Sequence, residues 1–157
     1  NEFEMYMPAL SKRGNNGFHI LVPLKTTSGK FIIYDTGWVP LKIKEKEKRL
    51  LNISKNSQTF EAVIRTSGRK GYFQPDNDTD TNTWFFVEPE LMSKYLKMNF
   101  ENEYYLEAVK NGPNGFPLGN QTRIYLRNNH LQYALTWFMI ACGLVGVFFF
   151  ANIKKIK

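Results

Sequence analysis

Cysteine is almost absent from this chain. Cys142 is the only one in 157 residues, and it lies inside the longest apolar run. A single thiol builds neither a disulfide framework nor a zinc site, and among Ala141, Gly143 and Gly146 it reads as a small packing residue. Histidine is nearly as scarce, with His19 and His130 alone, which disfavours a metalloenzyme centre. Internal repeats are missing, so solenoid architectures are excluded. All fourteen acidic residues precede Asn128. Charge of either sign is missing from Asn128 to Ile153, 26 residues with His130 taken as neutral.

That uncharged run is long enough, at about 1.5 Å per residue, to cross a hydrocarbon core of roughly 30 Å. Its polar side chains are few (Gln132, Thr136 and Asn152 inside the run), whereas a helix on a soluble core shows a polar stripe. Tyr133 and Trp137 stand near the entry, where amphipathic rings favour the interface, and Lys154, Lys155 and Lys157 close the exit. The sequence thus divides into an α+β domain at 1–127, a transmembrane helix at 128–153 and a basic tail at 154–157. The net charge of +7 splits into +4 on the domain and +3 on the tail. A domain that mixes so many carboxylates with its cations is a poor nucleic-acid binder. The lysine tail reads as a topogenic signal, placing the C-terminus on the cytoplasmic or matrix side.

Within the domain, Phe18 to Leu24 and Lys30 to Val39 are rich in aromatic and β-branched residues and flank a connection containing Gly29, a hairpin pattern. Lys42 to Leu51 predicts a solvated helix, with Glu45 and Arg49 at i,i+4. Gln58 to Arg65 alternates as a strand, Thr83 to Val87 as a short apolar strand, and Glu103 to Val109 and Thr122 to Arg127 as two more. Pro89 suits the first turn of a helix reaching about Met98, with Leu91, Met92, Tyr95 and Leu96 as its apolar face. Asn111 to Asn120 is dense in Gly, Pro and Asn and predicts a loop. The sum is an α+β domain around an antiparallel sheet or small β-barrel, followed by one C-terminal membrane helix.

Few residues suggest chemistry. Asp76, Asp78 and Asp80 have calcium-loop spacing, but Thr81 and Val87 stand where Gly and Glu are required, so the acids read as a solvated loop. Asn52, Asn77 and Asn120 each begin an Asn-x-Ser/Thr triplet, in an Asn-rich chain where such matches arise by chance. No hydroxyl, carboxylate and histidine share triad spacing, and no enzymatic constellation is expected. His19 reads as an ordinary strand residue. His130 differs: it stands at the membrane entry, with Tyr133, Ala134 and Trp137 following at helical spacing. An imidazole there can ligate haem iron, and Arg123 and Arg127 can neutralise propionates. The same residues suit a capping or headgroup-binding histidine, and the residues alone leave both open.

The run GNQTRIYLRNNHLQYALTWFMIACGLV, Gly119 to Val145, resembles the C-terminal signature of the Surfeit locus protein 1 (Shy) family. Two further blocks are similar to that family. One is GFHILVPLKTTSGKFIIYDTGWVP, Gly17 to Pro40; the other is GYFQPDNDTDTNTWFFVEPELM, Gly71 to Met92. Asp35 and Thr36 depart from its usual Asn-Arg pair, and Glu88 from its usual Asp. The resemblance implies an assembly factor for haem-copper cytochrome c oxidase, held in the bacterial or mitochondrial inner membrane with its domain on the periplasmic or intermembrane side. It implies haem a as cargo, with His130 as iron ligand and Arg123, Arg127, Tyr133 and Trp137 around it. The partners implied are the oxidase catalytic subunit and the haem a synthesis machinery. A second membrane helix is expected upstream. A scaffold that docks on an oxidase subunit without touching haem is the alternative, with Ala134, Ala141, Cys142, Gly143 and Gly146 serving helix packing.

Overall fold

The computed structural model describes residues 3–49, 59–68, 70–121 and 129–153. These fall into two compact units, 1–123 and 124–157, each described by itself.

The first unit is built on a five-stranded sheet: β1 (Met5–Leu10), β2 (Asn16–Lys25), β3 (Phe31–Pro40), β4 (Ala62–Thr66) and β5 (Tyr104–Ala108). The order is β1-β2-β3-β5-β4. The hairpin read from the sequence is present as β2 against β3, antiparallel, with Leu24 opposite Ile32 and Thr26 N–H returning to the Lys30 carbonyl at 2.8 Å. Its near-continuous apolar run is explained by cover on both faces. Leu21 and Ile33 enter one core with Met5, Trp84, Val87, Met92 and Phe100. Ile20, Val22 and Val39 enter a second, under Tyr6, Phe18 and Tyr34.

The α+β fold is as read, and three of the four strand pairings are antiparallel; at the remaining seam β3 and β5 run parallel, pairing Tyr34 with Leu106 and Asp35 with Glu107. A parallel pair needs a long crossover, and here it includes β4 and the helix α1 (Pro89–Leu96). The apolar face of α1 is as read: Met92 is fully buried, Leu91 and Leu96 pack on the same core, and Tyr95 meets Trp84 edge-on at 5.5 Å.

Two elements are corrected. Lys42 to Leu51 is no continuous helix over its described part. Short 3₁₀ turns at Leu41–Ile43 and Lys46–Lys48 are broken at Glu45, and Arg49 is extended. The cause is Arg49, whose guanidinium is drawn into a buried pair with Glu4. Thr83 to Val87 forms no strand either. Asn77 Oδ1 takes the N–H groups of Phe85 and Phe86 at 2.7 and 3.3 Å, satisfying locally what a ladder would have satisfied. Thr122 to Arg127 and the lysine tail lie outside the described residues.

The second unit is α2, one helix over His130–Ile153. At 24 residues it is about 36 Å long, and it is long and apolar enough to cross a membrane.

Candidate functional site

Three of the five residues singled out from sequence lie on α2. His130 is its first residue, and Tyr133 and Trp137 follow at i+3 and i+7, so they share its face. Both rings are exposed. The polar groups within the apolar run satisfy themselves: Thr136 and Asn152 each donate to the carbonyl four residues back at 2.9 Å. Arg123 and Arg127 lie outside the described residues. Among the described residues no cluster of three His, Cys, Asp or Glu could hold a bare metal ion. A haem asks less: one axial imidazole, and apolar cover for the macrocycle. His130 heads a helix face with Tyr133 and Trp137, an imidazole followed by two aromatic rings.

The sheet carries a second polar cluster that sequence spacing did not show. His19 Nδ1–H donates to Asp35 Oδ2 at 2.6 Å, between neighbouring strands. The other carboxylate oxygen accepts Gly37 N–H at 2.8 Å. Across the parallel seam Asp35 is beside Glu107, which takes Arg65 Nε at 3.0 Å. Burial opposes charge on His19, but the hydrogen bond and charge of Asp35, joined by the charge of Glu107, outweigh it and raise the imidazole pKa. The only signal in the sequence is parity: 19 and 35 fall on one sheet face if the hairpin register is known.

Beside this cluster the backbone closes tightly. Gly37 has φ +116°, and a Cβ there would overlap the Leu118 carbonyl. Trp38 and Leu118 exchange both backbone hydrogen bonds at 2.9 and 2.8 Å, docking the Asn111–Asn120 loop on β3. Trp38 Nε1 reaches the Ala9 carbonyl at 3.0 Å, and Gly17 leaves room for its ring. The acidic run is a turn, as read: Asp78 accepts Asp80 and Thr81 N–H and the Thr81 hydroxyl. Asn77 spends its amide on Phe85, Phe86 and Glu88.

The SURF1 family model matches residues 2–142. Surfeit locus protein 1 of Takifugu rubripes is 30% identical over 151 residues, covering 94% of this chain and 61% of that protein. A SURF1-like protein of Rickettsia bellii is 31% identical over 138 residues, 85% of this chain and 56% of its own. Surfeit locus protein 1 of Gallus gallus is 29% identical over 150 residues, 94% and 47% respectively. The chain thus spans about half the length of these curated relatives. With the Gly17–Pro40 and Gly71–Met92 blocks accounted for by contacts that fix sheet and loops, and the match running into α2, this chain belongs to the SURF1 family.

Proposed function

We propose that this chain serves assembly of haem-copper cytochrome c oxidase, helping to deliver haem a to, or insert it in, the catalytic subunit. Family membership supports the assembly role. The observation that carries the haem reading is His130, opening a 24-residue apolar helix with Tyr133 and Trp137 on its face. In this reading haem a is cargo. His130 offers the axial nitrogen, Tyr133 and Trp137 offer apolar cover, and Arg123 and Arg127 neutralise the propionates. The haem a synthesis machinery and the oxidase subunit are then the partners, and the protein acts as a chaperone rather than an enzyme. The site of action is a bacterial or mitochondrial inner membrane, with the sheet domain on the periplasmic or intermembrane side and the lysine tail opposite.

The test is haem co-purified with the full chain from cells that make haem a. His130→Ala should lose the Soret band while expression and membrane insertion persist, and Gln132→Ala should keep it. A full band in His130→Ala would overturn the haem reading. The scaffold reading then takes its place, favoured by Gly143 and Gly146, where an added Cβ meets nothing within 4 Å and a partner helix could approach closely.

A further inference from the structure

Among the described residues, the two most exposed large apolar side chains are neighbours: Tyr72 at 95% and Phe73 at 94%. They occupy the two central positions of a β-turn closed by Gln74 N–H to the Gly71 carbonyl at 3.0 Å. Turn centres favour Pro, Asp, Asn, Ser or Gly. Two aromatic rings there serve neither turn geometry nor the core.

The turn is also locked. Gln74 Oε1 accepts Gly71 N–H at 2.9 Å, and Gln74 Nε2 donates to the Phe85 carbonyl, tying the tip to the segment that carries buried Trp84. The rings brace each other edge-on, with centroids 5.0 Å apart. The tip therefore holds its rings out as a rigid pair.

We propose that Tyr72 and Phe73 form a second, interfacial contact with the lipid bilayer, separate from α2 and independent of any action on an oxidase. The occupant follows from three observations. The same chain carries a helix able to cross a membrane, so the domain is tethered to a bilayer and meets its surface at high effective concentration. A phenolic ring beside a phenyl ring suits the headgroup boundary, where apolar bodies are buried and a hydroxyl stays wet. Electrostatic attraction is not the driving term: Lys70 is paired with Asp76 at 2.5 Å, and Asp78 and Asp80 follow. The contact is apolar insertion, and it needs no anionic lipid.

The sole cysteine makes the test direct. In the full chain with Cys142→Ser, Tyr72→Cys carries a spin label in phosphatidylcholine vesicles. Its collision rates with oxygen and with a water-soluble nickel chelate report depth. Phe73→Cys repeats the measurement, and Ser28→Cys, in the β2–β3 connection, is the reference. The label at 72 or 73 should favour oxygen over the chelate at least several-fold more than the label at 28, unchanged by added salt. Equal chelate access at all three sites would overturn the proposal. So would a label that is wet in vesicles and becomes shielded only when solubilised membrane proteins are added, which would identify a protein partner instead.

Discussion

The imidazole of His19 and the carboxylate of Asp35, sixteen residues apart, meet at 2.6 Å with side-chain exposures of 12% and 4%. The raised pKa of His19, held up by Asp35 and Glu107 against burial, makes this pair a pH-dependent fastener. A histidine whose folded pKa exceeds its unfolded value adds stability that is fully present below the unfolded value of about 6.5 and is lost as pH rises through the folded one. His19→Gln should cost about 3 kcal/mol at low pH, the scale for breaking one partner of a buried pair. The gap between wild type and variant should narrow as pH rises from about 6.5 into the alkaline range. Melting curves of both in detergent across that range check it, and a gap that widens with pH would refute it.

Arg49 and Glu4 form a second buried pair. The guanidinium spans both carboxylate oxygens at 3.2 and 2.5 Å, also reaches the Lys44 carbonyl at 2.8 Å, and receives support from Tyr6 O–H on Glu4. Removing one ion strands the other in the interior. Arg49→Met should therefore destabilise by about 3–5 kcal/mol, whereas the double variant Glu4→Gln/Arg49→Met should recover much of that loss. Denaturant midpoints of the four-member cycle decide it. Additive losses would show that the pair is not coupled.

Elements governed by local pattern were legible in the sequence. Pro89 with Leu91, Met92, Tyr95 and Leu96 marked α1, the apolar stretches around Gly29 marked the hairpin, and the uncharged run marked α2. What escaped depends on contacts distant in sequence. Arg49 leaves a helical pattern because Glu4, 45 residues earlier, captures it. Thr83 to Val87 looks like a strand because its apolar side chains are real, but the Phe85 and Phe86 N–H groups are taken by Asn77. β1 has only six residues, and Pro8, which the strand accommodates, breaks the strand pattern in the sequence. The parallel seam between β3 and β5 has no local signature at all. At the candidate site, helical spacing gave the shared face of His130, Tyr133 and Trp137, while the His19–Asp35 cluster required the hairpin register.

Asn77 is placed to act through both ends of its amide: the oxygen caps Phe85 and Phe86 N–H, and the nitrogen donates to Glu88 at 2.9 Å. Asn77→Asp keeps the acceptor and turns the donor into a second carboxylate facing Glu88. The loss should be about 2 kcal/mol near neutral pH. Glu88→Gln in the same chain should restore most of it by supplying the missing donor. Thermal melts of the single and double variants give the answer, and no rescue would mean that the Glu88 contact contributes nothing.

Gly119 and Gly29 pose two different demands on a missing side chain. Gly29 has φ +86° with open space around it, so a methyl group meets only backbone strain, about 1 kcal/mol. Gly119 sits where an added Cβ would overlap the Lys110 carbonyl, while its N–H is held by Asn111 Oδ1 at 3.0 Å and Asn120 N–H reaches Ala108 O at 2.7 Å. Backbone, not a flexible side chain, blocks the space, so the loop must lift to admit even Ala. Lifting it strains the Trp38–Leu118 exchange that docks the loop on β3. Gly119→Ala should cost about 3 kcal/mol, the upper end for overpacking, and should raise hydrogen exchange at Trp38 N–H. Gly29→Ala should leave that amide protected. Equal midpoints and equal Trp38 exchange in the two variants would show that the loop is a connector that yields freely.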